Sequence, residues 1–299
     1  MGGGFLFLIG TGVCWAGLAA VTAAGAVRHV PASKIQPYSA LLVLVLFGWF
    51  AVLFGGAVPS GGIKVQALCL IAAGACNYFM LNLVQRAMES GRGGVVWAFT
   101  QSSMMWPFLM GICCFGEPAT LSRLAGFALI VCGLALFAAE RKGDGARGAW
   151  LLPTIGAFVL SGTAQCCASI PAYFQLAGMS ALRRMMLTQC GIVLAFLADS
   201  AINNRLQIPK FRAEREVWIL AGAFGALNLV ALLLFYNGLN LLADAKCASA
   251  GYPVAQGLGI VLFFLAGCRR TTPGFRSLCA FLLVVAGISA LAVSGIAVR

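Results

Sequence analysis

Long uninterrupted apolar segments are the feature that most constrains this chain. The segments 40–54 and 281–292 contain no charged residue, and hydropathy predicts ten apolar spans in total. A helix needs about 20 apolar residues to cross a bilayer. A transmembrane β-barrel would instead need short segments in which polar and apolar residues alternate. The sequence therefore predicts an all-α polytopic membrane protein.

Composition agrees with this class and excludes others. Of 299 residues, 61% are apolar and 9% are charged, whereas a soluble domain averages about 45–50% and about 25%. A soluble domain of this length still needs a polar surface, so soluble enzymes, fibrous proteins and disordered chains are excluded. The net charge of +12 indicates basic loops that contact anionic lipid headgroups. We expect membrane lipids, and not nucleic acid, as partners.

The spans divide into two equal sets. The predicted spans are 5–26, 37–58, 65–85, 93–115, 121–139, 149–169, 183–202, 217–239, 247–267 and 275–297. A charged, glycine-containing linker at 140–148 separates a first five-helix unit, 1–139, from a second, 149–299. An odd number of spans in each unit gives the units opposite orientations, which is the arrangement of inverted-repeat transporters. With a shift of 151 residues, Asn77 aligns with Asn228. We therefore expect two inverted five-helix repeats.

Ionisable side chains are absent from the middle of the predicted spans. No Asp, Glu or His lies near a span centre, and His29 is the only histidine. This pattern argues against an antiporter built on a central carboxylate, and against an intramembrane hydrolase, because no catalytic set or metal cluster can be assembled. The twelve cysteines show no CxxC spacing and are interpreted as small packing residues. No enzyme activity, cofactor or metal is predicted.

Neutral amide, hydroxyl and aromatic side chains occupy the span interiors instead, most densely just before Pro107. Such groups supply hydrogen bonds and stacking surfaces without net charge, so they would suit a small neutral, zwitterionic or amphiphilic solute. The other interpretation is that the amides only bridge neighbouring helices. The predicted substrate-binding residues are Trp15, Asn77, Trp97, Gln101, Ser102, Gln165, Asn228, Tyr236, Tyr252 and Gln256.

One stretch of the chain resembles a known family. The segment 87–137 is similar to the drug/metabolite transporter superfamily, in particular to its EamA-like ten-helix members. The similarity runs in order through Ala87-Met88, the glycine-rich run 90–98, Pro107, the Gly116-Glu117 loop and the glycine-punctuated helix after it. In the second half the aromatic end of the eighth span, 235–239, also fits. Gly267-Cys-Arg-Arg stands where that half would carry its Gly-Glu loop.

This resemblance implies two inverted five-helix bundles around a central cavity, which move solute by alternating access. Glu117 is then expected to be structural, either anchoring its loop or capping the next helix. The family usually keeps both termini cytoplasmic, whereas 14 of the 20 basic residues fall on the side opposite the termini. Basic residues concentrate on the cytoplasmic side, so the orientation stays open.

The predicted function is a secondary transporter of a small polar or amphiphilic organic metabolite. We expect it in the bacterial inner membrane, as a monomer or homodimer. Two alternatives remain at this point: a non-transporting membrane partner or sensor, and a lipid-carrier translocator.

Overall fold

Helices make up the chain wherever its structure is described. The computed structural model describes residues 2–54, 63–89, 93–140, 150–173, 179–203, 215–244, 246–268 and 275–297. Single 3₁₀ turns, Ser102–Met104 and Ala248–Ala250, directly precede two of the helices. The helices are α1 (Gly2–Val27), α2 (Ala32–Phe54), α3 (Ile63–Met88), α4 (Gly93–Gln101), α5 (Met105–Phe115), α6 (Leu121–Glu140), α7 (Leu151–Tyr173), α8 (Ala181–Ile202), α9 (Arg215–Ala243), α10 (Gly251–Cys268) and α11 (Phe275–Ala297).

Helix length and surface chemistry identify a membrane protein. Within the described ranges, six helices (α1, α2, α3, α7, α8 and α9) are long and apolar enough to cross a membrane, and α6, α10 and α11 contain shorter apolar segments. Large apolar side chains point outward along these helices: Leu6 is 70%, Val45 74% and Leu152 79% exposed. Such a surface is stable in lipid and unfavourable in water. The predicted class, an all-α membrane protein, is confirmed.

The first helix packs along two helices from the other end of the chain. α1 contacts α9 and α10 over much of its length. Gly4 lies against Leu242 and Gly17 lies against Leu227, so α1 and α9 are antiparallel. The absence of side chains at these glycines lets the two helices approach closely, as is common between membrane helices. α1 thus packs mainly on helices of the second half of the chain.

The third helix, α3, likewise packs against two helices of the second half of the chain. α3 contacts α7 and α8, while α6 and α11 pack on each other. Gly74 of α3 lies against the carbonyl of Thr188 in α8, and the Tyr78 hydroxyl is 2.9 Å from the Asp199 carboxylate. The later residue of α3, Tyr78, meets the later residue of α8, Asp199, so the two helices are parallel.

The helices differ from the predicted spans at two prolines. The predicted span 93–115 begins and ends as expected but is broken at 102–104, because the ring of Pro107 disfavours an α-helical bond to the carbonyl of Ser103, four residues earlier. α2 begins at Ala32 rather than at Pro37, and it continues through this proline, which lies in its second turn. The predicted linker lies outside the described residues beyond Glu140, as do Arg269 and Arg270.

Candidate functional site

A cavity lies at the centre of the helix bundle. It encloses about 120 Å³ and is lined by residues of α1, α2, α3, α4, α7, α8, α9 and α10. A water-sized group takes about 10–15 Å³ of such space, so the cavity has room for roughly ten of them, the size of a small metabolite. No lining residue in the described part of the chain carries a charged side chain. The cavity is therefore polar but formally neutral.

Most of the predicted binding residues meet at this cavity. Those that line it are Trp15, Asn77, Trp97, Gln101, Gln165, Asn228, Tyr236, Tyr252 and Gln256. Ser102 does not; its hydroxyl donates to the carbonyl of Phe99, three residues earlier, at 2.6 Å. Trp97 and Gln101 are four residues apart and share a helix face, whereas Ser102 is rotated by about 100° from Gln101 around the helix axis. Binding by the other nine stays a prediction.

A hydrogen-bonded cluster forms the wall between the 3₁₀ turn and α7. The Gln165 Nε2 donates to the hydroxyls of Ser103 and Ser161, each at 2.8 Å, and the Ser103 hydroxyl donates to that of Ser161 at 2.7 Å. These two partners fix the orientation of the Gln165 amide. Its buried Oε1 accepts no hydrogen bond from the described part of the chain. The cluster therefore presents a fixed acceptor beside the cavity.

Aromatic rings form the opposite wall. Trp15 of α1 is stacked near Tyr252 of α10, with ring centroids 6.0 Å apart, and Phe235 of α9 lies 4.5 Å from Tyr252. Next to them, the hydroxyls of Tyr236 and Thr188 are 2.9 Å apart and hydrogen-bonded. Rings held by neighbours at these distances give a rigid apolar surface with polar edges.

Among the lining residues that were not predicted to bind solute are Thr22, Gln36, Thr188 and Phe224. Gln36 lies before the predicted start of its span, although α2 already includes it. The hydroxyls of Thr22 and Thr188 donate to carbonyls four residues earlier, at 2.9 and 3.0 Å, which is ordinary for threonine in a helix. Gln36, like Gln256, keeps a buried Oε1 without a hydrogen bond from the protein. The sequence signal that could have identified Gln36 was an amide next to a proline within the first turns of a helix.

The Glu117 carboxylate joins distant parts of the chain. It accepts hydrogen bonds from the backbone N–H of Ser249, at 3.0 Å, and from the Ser249 hydroxyl, and it pairs with Arg123. The guanidinium of Arg123 also donates to the carbonyl of Pro118, at 2.9 Å. The N-terminus of α6 is capped by Thr120, whose hydroxyl lies 3.4 Å from the N–H of Arg123. Glu117 thus anchors its loop and does not cap the next helix.

The fold is shared over its whole length with a protein of known structure. A crystal structure described only as that of a protein superimposes with a TM-score of 0.68 and 17% sequence identity, covering 99% of this chain and 98% of that one. Similarity at this identity shows a common fold. No protein-family model matches the chain, and no curated protein matches it.

Proposed function

We infer that this protein is a secondary transporter, which moves a small organic metabolite across the membrane by alternating access. The observation that carries the proposal is the central cavity, neutral and lined by amides, hydroxyls and aromatic rings from both halves of the chain. Buried amides that only bridged helices would pair with one another. The Oε1 atoms of Gln36, Gln165 and Gln256 instead accept no hydrogen bond from the protein and are available to a solute.

Two internal correspondences support ten spans arranged as inverted five-helix repeats. Three pairs of residues 151 positions apart, on α3 and α9, line the cavity together: Ala73 and Phe224, Asn77 and Asn228, Leu81 and Leu232. Helix packing corresponds as well, since α1 packs on α9 and α10 while α7 packs on α3 and on α4 with α5. Exchanging the halves reproduces these contacts, as a repeat around a shared site requires.

The resemblance to EamA-like members of the drug/metabolite transporter superfamily supports the same proposal. The Gly116-Glu117 loop of that resemblance contacts Ser249 at the start of the α10 segment. Alternating access requires that the cavity be closed at one end of the bundle at a time. A contact between the two halves at that end can provide this closure. By the same resemblance we place the protein in the bacterial inner membrane.

Uptake by proteoliposomes tests the proposal, using a panel of radiolabelled metabolites. Replacing Trp97 or Gln101 with Ala removes a stacking surface or a hydrogen-bonding amide, so we expect transport to fall about three- to ten-fold with folding intact. Ser102→Ala is the matched control, since this neighbour points away from the cavity, and it should transport normally. Wild-type rates in both cavity variants would disprove the site. Failure of every solute to move would favour a non-transporting membrane protein.

A further inference from the structure

Arg184 is a buried cation without an ionic partner among the residues that the structure describes. Its side chain is 2% exposed, and its guanidinium donates to the Asn240 side-chain carbonyl at 2.6 Å and to the Ala168 backbone carbonyl at 3.1 Å. Its Nε is buried without a partner. No described carboxylate pairs with it, whereas the equally buried Arg123 is paired with Glu117. Charges buried in a protein are usually compensated, so this exception needs an explanation.

The charge lies directly behind the cavity wall. The Arg184 guanidinium carbon is 4.4 Å from the centroid of the Tyr236 ring. Tyr236 lines the cavity, and so do Ala168, whose carbonyl Arg184 binds, and Thr188, one turn further along α8. A single layer of residues therefore separates the guanidinium from the cavity. Because the guanidinium is buried, its field is screened less there than it would be in water.

The rest of the cavity wall has the opposite character. The free amide oxygens of Gln36, Gln165 and Gln256 can accept hydrogen bonds from hydroxyl, amide or ammonium groups of a solute. The described cavity lining includes no acidic residue that would neutralise Arg184. Positive potential thus acts at the Tyr236 side, while acceptors occupy other parts of the wall.

The geometry points to a solute with a carboxylate group, held so that its negative charge lies on the Tyr236 side of the cavity and is attracted by Arg184. This inference rests on the proposed transport function and narrows its substrate class from neutral and amphiphilic solutes to organic carboxylates, zwitterions included. At a separation of about 8 Å and an effective dielectric constant of about 20, opposite unit charges attract enough for a preference on the order of ten-fold.

Three matched probes test the role of charge: phenylacetate, phenylacetamide and phenethylamine. They share one ring and differ in carrying a negative, a neutral or a positive end. Apparent Kd values come from ligand-dependent shifts in the Tm of the purified full-length protein in nanodiscs. We expect phenylacetate to bind on the order of ten-fold more tightly than phenylacetamide, and phenethylamine to bind most weakly.

Variants at Arg184 separate an electrostatic role from a structural one. Arg184→Gln should remove the preference for phenylacetate over phenylacetamide. Arg184→Lys keeps the positive charge and should retain a preference for phenylacetate, although its ammonium cannot reproduce the two-nitrogen hydrogen bonding and ring stacking of the guanidinium. If Arg184→Gln does not fold, Thr188→Asp serves instead. It retains Arg184 and adds a carboxylate one helical turn away on the cavity wall, so the preference should shift towards phenethylamine.

The inference is overturned by any of three results: equal or tighter binding of phenylacetamide by the wild type, binding of none of the probes, or a preference that is unchanged in Arg184→Gln or, where Arg184→Gln does not fold, in Thr188→Asp. The proposed function is judged separately. Uptake of neutral metabolites in proteoliposomes would sustain it even if the carboxylate preference fails, and absence of all uptake would refute it even if phenylacetate binds.

Discussion

Two arginines illustrate how differently the same side chain is used in this protein. Arg123 and Arg184 are 1% and 2% exposed. Arg123 pairs with Glu117 and donates to the Ser249 hydroxyl, so its charge is compensated where two distant segments meet. Arg184 has only carbonyl oxygens and the face of Tyr236. The arrangement of Arg123 stabilises the contact between two segments. The charge of Arg184 instead produces an electric field that can act on a ligand in the cavity.

Arg123→Ala is expected to destabilise the protein strongly. It leaves the Glu117 carboxylate buried without its counter-charge, which typically costs about 3–5 kcal/mol. The free energy of unfolding in mixed micelles measures the loss. The control is the double variant Glu117→Gln with Arg123→Met, which removes both charges and should lose less than Arg123→Ala alone. A single variant as stable as the wild type would contradict the prediction.

Sequence reasoning at the residue scale found polar residues at depth but not which way they face. Gln101 lines the cavity, while Ser102 bonds to its own helix and Ser103 bonds to α7. Three consecutive polar residues look equivalent in a hydropathy profile. Their directions differ because each residue is rotated by about 100–120° from the one before it around the helix axis.

At the scale of elements, the crossing of α3 and α8 depends on two glycines. Gly74 lies against the carbonyl of Thr188, and Gly191 lies against the carbonyl of Ile71. A methyl group on either glycine would overlap a backbone oxygen, which cannot move without moving its helix. This crossing also holds Thr188 at the cavity wall, so close helix packing and the shape of the site are coupled.

Gly191→Ala and Gly74→Ala are each expected to lower the free energy of unfolding. Overpacking of this kind typically costs about 1–3 kcal/mol, and the Tm in detergent should fall accordingly. Gly222→Ala in α9 is the matched control, because nothing lies within 4 Å of the added carbon. There the higher helix propensity of alanine should leave stability unchanged or slightly higher. Equal effects at all three positions would show that contact is not the cause.

At the scale of the molecule, an arrangement with ten spans determines which turns between helices lie on opposite sides of the membrane. In the proposed ten-span arrangement, the turn at His29 follows the first span and the turn at Asp244 follows the eighth. Both residues are exposed. The described cysteines are free thiols, which allows their replacement before single labelling sites are introduced.

Single cysteines at His29 and Asp244 should therefore react from opposite sides. In intact cells a membrane-impermeant maleimide should label one of them, and permeabilisation should expose the other. Complete labelling of both after permeabilisation is the control for reactivity. Labelling of both from the same side would refute the ten-span arrangement. The site labelled in intact cells also decides between the orientation favoured by the basic residues and the one usual in the resembling family.

The amino-acid sequence by itself determined that this is an all-α membrane protein and which polar residues lie within its apolar segments. Both follow from hydropathy, a local property that adds up along a segment. Only the tertiary structure decided that Gln36 lines the cavity, that Glu117 binds Ser249 from 132 positions away, and that Arg184 is buried behind Tyr236 with no described carboxylate beside it. Those facts depend on the rotation of each helix about its axis and on the neighbours it meets, which hydropathy does not encode.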